Sequence, residues 1–249
     1  MRFLHSHATG ALCLVAIAAA VNSAGCRMVS TGRNVDGVRY FQQGNYPVAQ
    51  DRFQAALTVD SRNPDSYYNL AAVRHRTGLA NRDQNSLTQA ESLYQQALAY
   101  DPNHVDAYRG LAVLYTETGR TNDAFALLNR WAGSNPSSSD ARVELARLHE
   151  EYKQDKEAET QLNAALQIDV KNWRALAALG RLRENQGDYA QALQNYQTAY
   201  ANNRFNTDLP AKIASLQSRV SPIQPGAAPL ASPAATNRSA NSAAPFRRY

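Results

Sequence analysis

The sequence predicts an all-α protein made of about five repeated helix pairs and one closing helix, and three observations support this class. An alanine recurs along the 249 residues with spacings of 41, 34, 34 and 34. A large apolar residue follows each alanine by four positions, and a small or aromatic residue follows three positions later. A glycine, replaced once by lysine, precedes each alanine. A fixed period of this length indicates stacked helical repeats.

Residues at equivalent positions carry this pattern. The alanines are Ala49, Ala90, Ala124, Ala158 and Ala192, and the apolar residues are Phe53, Tyr94, Leu128, Leu162 and Tyr196. The third set is Ala56, Ala97, Trp131, Ala165 and Ala199, and the preceding residues are Gly44, Gly78, Gly119, Lys153 and Gly187. Small alanines let two helix axes approach closely, and the apolar residue one turn later fills the adjacent space.

Each unit is predicted to contain two amphipathic helices joined by a short turn. In the third unit, Tyr108, Leu111, Ala112 and Tyr115 share one helical face, because they recur at the i, i+3, i+4, i+7 spacing. The glycine provides a left-handed backbone at the end of the first helix. Lys153 stands at that position in the fourth unit, so the sequence predicts a strained or reshaped turn there.

Seven additional residues lie before Ala90, between the two helices of the second unit. The segment 79–85 is polar and is predicted to be a loop, with a capping box at residues 86–89 opening the second helix. It is either a tolerated surface insertion or a loop that contacts a partner.

A final helix is predicted over residues 207–220, opened by Thr207 and Asp208. Its apolar stripe contains Leu209, Ile213, Leu216 and Val220. A helix with one apolar and one polar face is expected to close the last repeat.

The repeated residues resemble the tetratricopeptide repeat, and the resemblance covers a predicted repeat domain at residues 27–206. It implies a right-handed α-solenoid whose first helices line a concave groove that binds other proteins or peptides. Mapping that groove onto this chain gives eight candidate partner-binding residues. They are Tyr68, His75, Arg76, Arg109, Val113, Arg147, Glu150 and Arg181.

The N-terminal segment, residues 1–25, is predicted to be a signal peptide, with Arg2 preceding an apolar run too short to span a bilayer. The residues that end at Cys26 resemble a bacterial lipobox, which implies acylation of Cys26 and attachment to a membrane. Arg27 favours the outer membrane, facing the periplasm. Ser23 departs from the lipobox pattern, so cleavage to a soluble periplasmic or secreted protein is the alternative.

The C-terminal segment, residues 221–249, is rich in proline, alanine and serine and is predicted to be a disordered tail. It holds three arginines and no acidic residue. From Arg27 to Val220 the chain has 22 basic and 21 acidic residues, which is nearly balanced. The net charge of +5 therefore does not indicate nucleic-acid binding.

No catalytic constellation, cofactor motif or metal-ligand spacing is found in the sequence. His104 is predicted to be a solvated turn residue, and His149 to lie at the edge of the core. The charged residues of the fourth unit are predicted to form a solvated, ion-paired surface. These observations favour a non-catalytic adaptor of the cell envelope, with an enzyme that uses the repeats as a scaffold as the less favoured class. The partner and the oligomeric state are not indicated.

Overall fold

The computed structural model describes residues 32–220, which contain eleven helices and no strand. The predictions for the signal peptide, Cys26, Arg27 and the tail lie outside these residues. Helix α1 covers residues 32–42. The others are α2 (Tyr46–Val59), α3 (Pro64–Asn81), α4 (Gln84–Tyr100), α5 (Val105–Glu117), α6 (Thr121–Ser134), α7 (Ser139–Glu151), α8 (Asp155–Ile168), α9 (Trp173–Asn185), α10 (Tyr189–Asn202) and α11 (Leu209–Val220).

The helices form two compact units, divided between Thr121 and Asn122. In the first unit, α2 packs on α3, α3 on α4 and α4 on α5, and α3 also contacts α5. In the second unit, α7 to α11 pack in the same consecutive manner, and α7 also contacts α9. Each unit is thus an array of antiparallel helix pairs, and the predicted all-α helical repeat fold is confirmed.

The periodic residues form the core of both units. The five spaced alanines are completely buried, and each large apolar residue one turn later is at most 1% exposed. In the second unit, Ala158 and Leu162 pack with Ala175 and Leu182, which joins α8 to α9. Side chains at identical repeat positions therefore hold successive helix pairs together, mainly by burying apolar area.

The turn between paired helices has the predicted left-handed backbone in four places. Gly44, Gly119 and Gly187 have φ of 76°, 76° and 83°, and Lys153 has φ of 60°. At each turn the N–H of this residue bonds to the carbonyl three residues earlier. Lys153 therefore adopts the same turn as the glycines, with a side chain that disfavours it.

The seven-residue insertion in the second repeat is not a loop, which corrects the prediction. It lengthens both helices, so that α3 has 18 residues and α4 has 17, while the equivalent helices have 13 and 14. Asp83 caps α4 instead of the predicted box at residues 86–89, and Arg82 takes the left-handed position. Gly78 lies inside α3, where a β-carbon would come within 2.9 Å of Leu87.

Helix α11 packs against α10, with Leu209 and Leu216 buried among residues of the last repeat. Val220 is 40% exposed, so the buried stripe ends before it. Asn206 caps the helix, since its side-chain oxygen accepts hydrogen bonds from the N–H groups of Asp208 and Leu209. Helix α11 itself begins at Leu209, and the carbonyl of Asp208 accepts the N–H of Lys212, in agreement with the predicted opening at Thr207 and Asp208.

Candidate functional site

In the first unit, four of the predicted groove residues lie on the neighbouring helices α3 and α5 and remain partly accessible. Tyr68 and Arg76 are on α3, and Arg109 and Val113 are one turn apart on α5. The ring of Tyr68 lies 5.4 Å from that of His104. Arg109 donates to the carboxylate of Asp106 at 2.9 Å. Together the four residues define the α3–α5 face, an aromatic and guanidinium surface with one aliphatic side chain.

His75 does not belong to this face, because its side chain is completely buried. Its Nε2 lies 2.9 Å from a carboxylate oxygen of Glu117, and its Nδ1 lies 3.4 Å from the hydroxyl of Tyr94. Burial, followed by the charges of Tyr68 and Glu117, raises the pKa of Tyr94 well above its usual value. His75 therefore links α3, α4 and α5, and its assignment as a partner-binding residue is corrected.

His104 is also buried, contrary to the expectation of a solvated turn residue. Its Nδ1 accepts the N–H of Ala107 and caps α5, while its Nε2 lies 3.1 Å from Asp65 in the first turn of α3. Burial lowers the pKa of His104, but the hydrogen bond and charge of Asp65 outweigh it, so the pKa is raised. The same hydrogen bond lowers the pKa of Asp65. Asn172 has the equivalent role at α9, where it donates to Ser139 of α7 at 2.9 Å.

In the second unit, the predicted residues Arg147, Glu150 and Arg181 form ion pairs within the protein. Arg147 is only 7% exposed and pairs with Glu144 and Glu151. Arg181 of α9 donates to Glu150 of α7. Burial raises the pKa of Glu150, and the charge and hydrogen bond of Arg181 oppose this effect. Arg147 is thus a buried residue, which corrects its assignment to an accessible groove surface.

Arg174 completes this network, and the sequence reasoning missed it. It lies 3.2 Å from Asp140 and 2.5 Å from Glu144, so it joins α9 to α7. Glu144 is 1% exposed, so the charged residues of the fourth repeat do not all lie on the solvated surface that the sequence predicted. The available signal was a spacing of 34 residues between Asp140 and Arg174, which equals the repeat period. Opposite charges one repeat apart face each other when consecutive first helices are neighbours.

His149 lies at the border of the second unit's core, as its sequence position indicated. Its ring centroid is 5.1 Å from that of Phe125, and its Nδ1 is 2.7 Å from the side-chain oxygen of Gln154. Within residues 32–220, no group of three or more His, Cys, Asp or Glu side chains is arranged to hold a metal ion. None of the helices described is both long enough and apolar enough to cross a membrane.

Comparison with protein families identifies the repeat to which these helix pairs belong. A tetratricopeptide repeat model matches residues 81–138 and 119–182, and a second model, described as TPR repeat, matches residues 37–78. These matches cover more than half of the chain. The chain is a tetratricopeptide repeat protein. Proteins of this family generally mediate protein–protein interaction, and their fold is typically a non-catalytic scaffold.

Solved structures show the same fold. The thermophilic TPR protein TTC0263 of Thermus thermophilus is 21% identical, with a TM-score of 0.57, over 76% of this chain and 99% of that one. Yeast Tom70 is 18% identical, with a TM-score of 0.58, over 69% of this chain and 36% of that one. No curated protein sequence matches the chain. At these identities the similarity shows the fold and nothing further.

Proposed function

We propose that this tetratricopeptide repeat protein is a non-catalytic adaptor that binds a protein or peptide on the α3–α5 face. The observation that carries the proposal is the partly accessible cluster of Tyr68, Arg76, Arg109 and Val113 on two adjacent first helices. Tyrosine and arginine dominate binding hot spots, because they combine a large contact area with directional hydrogen bonds. A guanidinium group can also bind a carboxylate in bidentate fashion.

The second unit is a weaker candidate for the same role. Arg147, Arg174 and Arg181 already pair with carboxylates of α7, and a partner would have to replace those contacts. Breaking a buried ion pair leaves an uncompensated charge and is costly. Arg109 is also paired, with Asp106, but that carboxylate is 53% exposed, whereas Glu144 of the second unit is 1% exposed. The adaptor surface is therefore assigned to the first unit, where the ion pair is open to solvent, and the buried charges of the second unit are assigned to holding its helices together.

A double charge reversal tests this assignment. Arg76→Glu with Arg109→Glu should abolish capture of the principal envelope partner, because it changes the charge of the face by four. Both side chains are partly accessible, so stability should change by less than about 1 kcal/mol. Arg52→Glu with Arg62→Glu is the matched control, since both residues are exposed in the same unit and lie off the face. Equal capture by both variants would refute the assigned surface.

We further propose that the adaptor is attached to the cell envelope through acylation of Cys26, with the outer membrane, facing the periplasm, as its location. The support is the sequence of residues 1–26 and the position of the cysteines, since the chain has only Cys13 and Cys26. Cys26 is therefore the only thiol that a chain cleaved after Gly25 would retain. More than one acyl chain would make the attachment stable, at about 0.8 kcal/mol per buried methylene.

Intact mass and fractionation test the anchor independently of the binding face. The mature wild-type protein should carry the mass of acyl chains on Cys26 and appear in the membrane fraction. Cys26→Ser should remove the acyl mass and make the protein extractable from the membrane fraction by alkaline carbonate, without changing its thermal unfolding. A wild-type mass without acyl groups would favour the soluble periplasmic or secreted alternative, and the adaptor proposal would still stand.

A further inference from the structure

Two loops of the second unit expose large apolar side chains to solvent. Phe205, between α10 and α11, is 95% exposed, and Val170, between α8 and α9, is 73% exposed. The equivalent loop before α5 has the sequence Asp101, Pro102, Asn103 and His104, with no large apolar side chain. Single exposed apolar residues are common, so the feature that distinguishes this pair is its place on two loops of one unit.

The two loops lie at the same end of the second unit. Trp173, the first residue of α9, and Leu209, the first residue of α11, pack into one apolar cluster with Leu176. The loop before each helix must therefore emerge beside the other. We call residues 169–172 together with residues 203–208 the apolar edge.

Each exposed apolar residue has an exposed cation beside it. Lys171 follows Val170, and Arg204 precedes Phe205. The edge also contains Asp169 and Asp208, so its net charge is zero, and the Asp169 carboxylate accepts the N–H of Lys171. The net charge of the apolar edge would therefore contribute little to its attraction to an anionic surface. Apolar side chains flanked by long basic ones are typical of surfaces that enter the boundary between headgroups and acyl chains.

The backbone near Phe205 is already hydrogen-bonded within its own loop. Its N–H donates to the side-chain oxygen of Asn203 at 3.2 Å, and the N–H of Asn206 donates to the Asn203 carbonyl. The N–H groups of Asp208 and Leu209 donate to the side-chain oxygen of Asn206. A loop that enters a lipid boundary loses water, so its polar backbone groups need such partners.

We propose that the apolar edge binds the surface of a phospholipid bilayer. Phe205 and Val170 enter the acyl boundary, and Arg204 and Lys171 contact lipid phosphates. A bilayer deforms around exposed side chains such as Phe205 and Val170, whereas a protein partner would need pockets matched to both of them. The binding does not depend on acylation of Cys26, and it would place the second unit directly against the membrane that the adaptor serves.

Tryptophan reporters in the full chain test the proposal. Phe205→Trp should give a blue-shifted emission with vesicles of phosphatidylcholine and phosphatidylglycerol, and brominated lipids should quench it beyond the contribution of Trp131 and Trp173. Asn103→Trp, at the equivalent position of the loop before α5, is the matched control and should show neither effect. Equal quenching at both positions would mean that another segment tethers the chain, and no quenching at position 205 would also overturn the proposal.

A loss-of-binding variant provides the second readout. In the Cys26→Ser chain, replacing Phe205 and Val170 by serine should weaken vesicle sedimentation at least about tenfold, since each large apolar side chain contributes that much when buried. Circular dichroism should be unchanged, because both side chains are solvent-exposed. Unchanged sedimentation contradicts the proposal. If these serines instead abolish capture of the protein partner, and the Phe205→Trp reporter is not quenched, the edge is a protein contact and the lipid assignment is wrong.

Discussion

At the scale of single residues, Lys153 shows how one side chain can be unsuited to its repeat position. Its φ of 60° matches that of Gly44, Gly119 and Gly187 at equivalent turns. Lys153→Gly should therefore raise the free energy of unfolding by about 0.5–1 kcal/mol, because glycine adopts this backbone without a steric penalty. Urea unfolding measures the change. Lys156→Gly, within α8, is the control and should not stabilise; equal effects at both positions would contradict this explanation.

Gly110 provides the opposite case, where glycine is needed for space. A β-carbon at this position would lie 2.5 Å from Cε1 of Tyr94, whose side chain is completely buried. Gly110→Ala gains about 0.5–1 kcal/mol of helix propensity. The overlap should outweigh this gain and destabilise the protein by about 1–3 kcal/mol. Gly133→Ala has no atom within 4 Å of the new carbon and serves as the control in the same thermal melts. A stabilised Gly110→Ala variant would show that the Tyr94 ring moves freely.

Helical spacing predicted which face of its helix each candidate residue lies on, but it could not predict how deeply the side chain is buried. His75 and Arg76 are adjacent in sequence, yet His75 is completely buried while Arg76 is partly accessible. The difference arises from Tyr94 and Glu117, which come from two other helices and close over the imidazole. The burial of a side chain therefore depends on contacts between helices, and the spacing of residues along one helix does not predict those contacts.

At the scale of elements, the insertion in the second repeat illustrates why a loop was expected and a helix was found. Seven residues correspond to about two helical turns at 3.6 residues per turn. Divided between α3 and α4, they extend both helices while keeping each apolar face in register. The polar composition of residues 79–85 suggested a turn, but exposed helical turns at the end of a hairpin are equally polar.

The ion-pair network between α7 and α9 gives a testable account of how these two helices stay together. Glu144 is buried between Arg147 and Arg174, so Glu144→Gln leaves two guanidinium groups without a shared counter-charge. This change should cost about 3 kcal/mol, in the range found when one partner of a buried ion pair is removed.

Glu157→Gln is the matched control for this network, because Glu157 is exposed in α8. It should change the free energy of unfolding by less than about 0.5 kcal/mol. Denaturant unfolding of both variants compares them directly. Equal, small effects would show that the network is a surface feature without structural importance.

At the scale of the whole molecule, periodicity predicted the repeat fold because it is a property of many residues at once. Five alanines in register outweigh local ambiguities such as Lys153 or the insertion. The accessibility of the candidate residues was predicted less well, since His75 and Arg147 are buried although both were placed on the groove surface. Functional surfaces depend on a few side chains, and no repeated signal distinguishes them from ordinary helix residues.

Site-specific photocrosslinking in intact cells tests the central claim, that the α3–α5 face holds a protein partner. A photoreactive amino acid at Arg76, on the face, should give one dominant crosslinked protein. The same amino acid at Gln96, exposed on α4, should give none. A crosslink from position 96 but not from 76, or no crosslink from either position, would contradict the assignment of the partner to this face.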